Sequence, residues 1–355
     1  LTASLRDVLP SVAACLGVPG FINTMELPSS DRYVVCLIDG LGWESLHAHA
    51  EAAPFLTEVG DQYITADFPT TTPVGLAALG TGLTSGEHGM VGASFWLPEV
   101  EGVLTPLHWP EGVHPAMVQP EPTMFEILGG RDIESVSVGA GAYATTGLTQ
   151  AVLRGSTYAA AETPESIVRH AAASAGACTY VYWSALDRVG HAQGVASPQW
   201  RTELQIVDTL VQDLVAAVPA GTTVVVTADH GMLDTSAVYR RSIDDSPLLR
   251  HGVHRIAGEP RLRHIYFHEP VDTSTIEIWR TELSGVADVL TREEASPLFG
   301  TIAPGIEERI GDLVCIARDR WVLASHVDPR VSGFTGQHGA LSDAERRIPG
   351  VVVTV

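Results

Sequence analysis

Lysine is missing from this 355-residue chain: all 21 of its basic residues are arginine. That absence removes every site built on an ε-amine, including the phosphate-loop lysine, the Schiff base, the pyridoxal phosphate anchor and the protein kinase pair. Cysteine is scarce as well. Cys15, Cys36, Cys178 and Cys315 lie far apart with no C-x-x-C, which excludes a disulfide framework or zinc finger and reads as buried thiols in a reducing compartment. No apolar run reaches the roughly 18 residues of a membrane span. The first twenty residues carry Asp7 and Pro10 where a leader has a basic stretch and an uninterrupted apolar one, so a cytoplasmic protein is expected. Positive charge is in deficit overall: 42 acids leave a formal charge of −21, which excludes a nucleic-acid-coating surface. An anionic small substrate remains compatible with such a chain where bound cations invert the field locally.

What the chain does have is a series of apolar, β-branched runs that end in acids. Tyr33 to Ile38 reads as a central strand buried on both faces, and it is followed by Asp39, Gly40 and Gly42. A carboxylate there either caps the next helix or meets a ligand at the carboxyl edge of an open sheet. A helix is expected over 43–59 and a strand over 63–66. Residues 67–89 then read DFPTTTPVGLAALGTGLTSGEHG. Pro73 suits a first helical position and makes Thr72 the expected N-cap of a helix that is small and apolar on nearly every face. Such a hydroxyl is either an ordinary cap or a group placed to meet phosphate or to act as a nucleophile. Residues 90–130, rich in Pro, Gly and Trp, form an irregular excursion over the cleft. Its Phe95, Trp96 and Trp109 either pack or wall a substrate pocket.

Further strands are expected at 135–139, 178–183 and 223–227, with helices over 165–175 and 198–218. The second of these strands leads to Asp187 and His191, four residues apart and so on one face of a helix. The third delivers adjacent Asp229 and His230; a buried carboxylate there needs a cation or a salt bridge. From 233 to 332 the texture turns polar, Arg-rich and Pro-interrupted. Short strands in HIYFH, DLVCIA and WVLASH and a helix over 273–283 mark an inserted, smaller α+β subdomain. Residues 1–232 and 333–355 then make an α/β core, to whose sheet the terminal IPGVVVTV can return. His338 sits on a loop just before that return.

Asp39, Thr72, Asp187, His191, Asp229, His230 and His338 together offer three carboxylates, three imidazoles and a hydroxyl, enough for two transition metals with N and O ligands. The motifs LIDGLG, FPTTTPVGLAALGTGLTSGEHG, LDRVGH, TADHGM and QHGALS, in that order, resemble the alkaline phosphatase superfamily, in particular bacterial members of its nucleotide pyrophosphatase/phosphodiesterase branch. The resemblance covers nearly the whole chain. It implies a three-layer α/β/α fold around a mostly parallel sheet and a small phosphate-ester or nucleotide substrate. Thr72 is the nucleophile by this likeness, forming a phosphothreonine. Asp39, Asp229 and His230 hold one zinc, which Thr72 also contacts, and Asp187, His191 and His338 hold the other. Manganese is the alternative metal, since mixed Asp/His ligation suits both. The family pattern has an asparagine three residues after the nucleophile, as an oxyanion donor; this chain has Gly75, so Gly75, Phe95 and Trp96 are the expected pocket positions. The loss of that asparagine leaves a phosphomonoesterase or phosphonate hydrolase as the alternative, ahead of a non-catalytic metal-binding module.

Overall fold

Runs dominated by Val, Ile, Tyr and Thr build the centre of the molecule, because β-branched and aromatic side chains pack well on a pleated surface. The structure is a computed structural model that describes residues 3–355. Strands β1 (Arg32–Ile38), β2 (Ser135–Gly139), β3 (Thr157–Ala160), β4 (Cys178–Trp183) and β5 (Thr222–Thr227) are parallel to one another. Four further strands, β6 (Val253–Glu259), β7 (Leu262–Phe267), β8 (Ala287–Thr291) and β9 (Leu313–Ala317), form a separate antiparallel sheet in the order β6-β7-β9-β8. The last strand, β10 (Val351–Thr354), returns antiparallel to β5 and completes the main sheet, β10-β5-β1-β4-β2-β3. The fold is thus α/β with a mostly parallel central sheet. Every residue of β5 and all but the first of β1 are buried, as strands covered on both faces must be.

Register sets the site. Ile38 lies opposite Trp183 and Leu37 opposite Thr227, so β1, β4 and β5 end side by side. The segments that leave these ends therefore start from one edge of the sheet, where open α/β sheets bind ligands.

The helix α1 (Thr72–Thr81) is buried along its whole length. It begins one residue earlier than expected: Thr71 is the N-cap and Thr72 the first helical residue, which releases the Thr72 hydroxyl from capping. Its small residues are a packing requirement, since a Cβ on Gly80 would lie 2.1 Å from the Val152 carbonyl oxygen. The helix expected over 43–59 is instead two short helices, Trp43–Ala48 and Pro54–Val59, because Pro54 cannot donate back into the preceding turn. Tyr63–Thr65 pairs with Arg347–Pro349 rather than joining the main sheet.

The second sheet has its own small core around Ile265, Trp279, Leu283 and Leu313. Buried arginines bind it to the rest. Arg309 donates to the carbonyls of Gly89 (3.0 Å) and Val118 (2.7 Å), and Arg261 makes a two-pronged pair with Glu345 at 3.0 and 2.9 Å. The 90–130 excursion opens with a hairpin, Phe95–Leu97 against Gly102–Leu104, docked on β6 through reciprocal bonds between Ser94 and Gly258. No helix among the described residues is long and apolar enough to cross a membrane.

Candidate active site

Glycines let the strand-end carboxylates approach one another. Gly40, after Asp39, has φ +74°, and a Cβ there would sit 2.9 Å from the Asp187 Cβ. The chain leaving β4 forms α2 (Ala185–Gln193), which carries Asp187 and His191 on one face with Oδ1 and Nε2 3.5 Å apart. Two groups result. Asp39, Asp229 and His230 form one; Asp187, His191 and His338 form the other, and within each the ligand atoms lie within 4.8 Å of one another. The rings of His230 and His338 stack at 3.7 Å between centroids and join the groups. The Thr72 hydroxyl is 3.2 Å from His230 Nε2 and 3.4 Å from Asp39 Oδ1. All seven sequence-expected residues are therefore gathered at one edge of the sheet.

The imidazoles are aimed by the main chain. His191 Nδ1 lies 2.8 Å from the Gly336 carbonyl, His230 Nδ1 2.9 Å from that of Gly231, and His338 Nδ1 2.9 Å from that of Thr70. A carbonyl only accepts, so each Nδ1 carries the proton and each Nε2 presents a lone pair to the site. Nε2 of His191 and His338 face each other at 3.2 Å, an arrangement of two lone pairs that suits a shared cation.

Electrostatics point the same way. Burial, then the neighbouring charges of Asp229 and Asp187, push the Asp39 carboxyl well above the usual carboxylate range, while Tyr182 donates a hydrogen bond to it. Burial and the adjacent His230 and His191 hold His338 well below the usual imidazole range. Asp187 Oδ1 and Asp229 Oδ2 are buried with no hydrogen-bond partner among the described residues. Orphaned carboxylate oxygens beside bare imidazole nitrogens are costly without a cation, and as a donor set they fit divalent metal ions.

The cleft in front has two compartments that share Thr72, Leu107 and Asp187. The smaller, about 350 Å³, is walled by Leu76, Val138, Leu153, Tyr143, Tyr180 and Tyr182. The fully buried Tyr180 hydroxyl has no partner among the described residues. The larger, about 950 Å³, borders His191 and His338 and carries Arg250, Arg255 and Arg330. Arg255 and Arg330 have no carboxylate partner among the described residues, whereas Arg250 pairs with Asp244.

Three expected pocket positions do other work. Phe95 is fully buried beneath the Arg309 guanidinium, 5.9 Å above its ring. Trp96 is held edge-on to His254, and its main-chain N–H donates to the Tyr266 hydroxyl at 3.0 Å. Gly75 faces Asp229: a Cβ there would lie 2.7 Å from the Asp229 Cβ, so the position is reserved for close packing and has no room for an asparagine side chain. Sequence reasoning missed the tyrosine wall, although Tyr180 and Tyr182 alternate along β4 and so share a face. It also missed Glu259, buried at the end of β6 with Oε2 3.3 Å from His338 Nδ1; no local pattern marks it.

A sequence model of the type I phosphodiesterase / nucleotide pyrophosphatase family matches residues 33–341. No curated protein matches the chain significantly. Among solved structures, murine ectonucleotide pyrophosphatase / phosphodiesterase 5 superposes with a TM-score of 0.71 at 17% identity, covering 90% of this chain and 87% of that one. Its inactive threonine-to-alanine variant in complex with AMP gives 0.70, with the same identity and coverage. Phosphonoacetate hydrolase from Sinorhizobium meliloti 1021, in complex with phosphonoformate, gives 0.71 at 18% identity over 92% of this chain and 91% of that one. At these identities the likeness is one of fold.

Proposed function

Because the chain belongs to the type I phosphodiesterase / nucleotide pyrophosphatase family, whose members are metal-dependent phosphodiester hydrolases, we propose that it cleaves small phosphodiesters or nucleotide pyrophosphates with Thr72 as nucleophile and two zinc ions, manganese being the alternative. The observation that carries this reading is the Thr72 hydroxyl at the N-terminus of α1, within 3.2 Å of His230 Nε2 and 3.4 Å of Asp39 Oδ1. Asp39, Asp229 and His230 hold one ion, and Asp187, His191 and His338 the other. When bound, the ions supply Lewis acidity that favours a deprotonated hydroxyl and offsets charge on the phosphate oxygens.

Thr72 Oγ1 forms a bond to phosphorus as the bond to the leaving oxygen breaks; the threonine proton goes to solvent and the leaving oxygen takes one up. Water then attacks the phosphothreonine, the Oγ1–phosphorus bond breaks, and Thr72 regains its proton. The positive end of the α1 dipole favours negative charge on Oγ1 throughout. Tyr182 fixes the Asp39 carboxylate by its hydrogen bond. The Asp187, His191 and His338 group borders the larger, arginine-bearing compartment, while Asp39 borders the tyrosine-walled one. This supports a substrate whose retained, uncharged substituent enters the tyrosine compartment and whose leaving group, anionic in a pyrophosphate, departs past Arg255 and Arg330. In this reading residues 233–332 act as a cap on a core made of 1–232 and 333–355.

A second reading, hydrolysis of phosphomonoesters or phosphonates, is favoured by Gly75, which offers no side-chain donor to a phosphoryl oxygen. Elemental analysis of purified protein, with bis-p-nitrophenyl phosphate, p-nitrophenyl phosphate and a phosphonate assayed on the same sample, separates the two. Near two zinc per chain with faster diester turnover is expected. Faster monoester or phosphonate turnover transfers the assignment to the second reading.

A further inference from the structure

Glu259 comes from the second sheet, yet its side chain ends at a candidate metal ligand. β6 is an edge strand of that sheet, and Glu259 is its last residue. Oε2 stands 3.3 Å from His338 Nδ1, and Oε1 is buried without a partner among the described residues. The space it occupies depends on Gly339, the residue after His338: its φ is +126°, and a Cβ there would lie 2.8 Å from the Glu259 Cδ. Two residues along, Arg261 grips Glu345, which accepts the Ala340 N–H at 2.9 Å. The β6–β7 turn thus holds the His338 loop at two points, once at the imidazole and once behind it.

We infer that Glu259 is a positioning residue for His338: it shares the Nδ1–H with the Thr70 carbonyl and so keeps Nε2 turned toward Asp187 and His191. The second ion's site is therefore incomplete without the second sheet. The assignment rests on the two-ion reading above. A carboxylate behind a ligating imidazole fixes its tautomer and raises its basicity, and its loss weakens metal binding about 10–100-fold.

The test is zinc competition with a chromophoric chelator on the full chain, comparing wild type, Glu259→Ala and Glu259→Gln, with melting curves of each metal-free and zinc-loaded protein. Expected are two zinc ions in wild type, a first ion held equally well by all three, and a second ion bound about 10–100-fold more weakly by Glu259→Ala. Glu259→Gln, which keeps an acceptor without the charge, should fall between. Metal-free Glu259→Gln, which keeps the side-chain volume, should melt no lower than metal-free wild type, because what it removes is a buried acid with one oxygen unpartnered among the described residues. Two ions held with wild-type affinity by both variants would overturn the assignment while leaving the two-ion reading intact. A drop in metal-free melting equal to the drop in the loaded protein would overturn it too, in favour of a purely structural glutamate. Wild type without a second ion would instead sink the two-ion reading itself, and this assignment with it.

Discussion

The Thr72 hydroxyl touches Asp39 and His230 at a buried helix end, and replacement by alanine removes that hydroxyl together with one methyl group. Thr72→Ala should lower diester hydrolysis at least about 10³-fold, as loss of a nucleophile does. Its zinc content should stay within about 20% of wild type by elemental analysis, since six other ligands remain. Retained turnover would end the covalent mechanism, and lost zinc would make Thr72 chiefly a ligand. Gly75, three residues on, shows why a motif residue cannot be exchanged for its family counterpart in isolation. Its neighbour across the gap is the backbone of Asp229, and a larger side chain meets that carboxylate's main chain before it reaches a substrate.

At the scale of elements, β7 carries an acid-sensitive contact. His264 is fully buried; Gly311 N–H donates to its Nδ1 at 3.2 Å, so Nε2 carries the proton and donates to the Val91 carbonyl at 3.0 Å. The ring is thus complete when neutral. Burial, opposed by the Val91 bond and helped by Arg292, lowers its pKa from 6.5 to about 4. A lowered imidazole pKa means that the unfolded chain binds the proton more readily. The contribution is therefore present above about pH 6.5 and is lost as pH falls through the window toward about 4, by about 3 kcal/mol in all. Urea unfolding of metal-free protein at pH 7 and pH 4.5 should show a larger loss for wild type than for His264→Gln; equal losses would place the acid lability elsewhere. The elements themselves were largely legible in sequence. β2 and β4 have the expected bounds, because an apolar run closed by glycine, proline or an acid has few other conformations open to it. The burial of Phe95 was not, since it depends on which distant segment packs there, whereas the break before Pro54 follows from the proline itself and was open to reading. The candidate ligand cluster was readable because Asp39, Asp187, His191, Asp229 and His230 each follow an apolar strand run, while His338 lies on a loop and was marked only by its motif. Glu259 was not, because it acquires a role only when β6 meets the His338 loop, 79 residues away by subtraction of the two positions.

Across the whole molecule, a formal charge of −21 repels the anions that the cleft is proposed to accept. Arg255 and Arg330, unpaired with carboxylates among the described residues, are positioned to reverse that field locally. Substituting both with alanine should raise KM for a pyrophosphate substrate about tenfold or more at low salt, leave KM for bis-p-nitrophenyl phosphate within about twofold, and flatten the salt dependence of the former. Equal effects on both substrates would remove charge recognition from the larger compartment.

The bonds from the three imidazoles to the Gly336, Gly231 and Thr70 carbonyls have a consequence for how this protein can change. Every residue type retains its carbonyl, so no substitution at those three positions can delete the acceptor. Mutational drift at Tyr143, Tyr180 and the arginines can then alter what is cleaved while the imidazoles keep their aim, and a library confined to those positions, with Tyr182 left in place to hold Asp39, starts from a centre it cannot easily break.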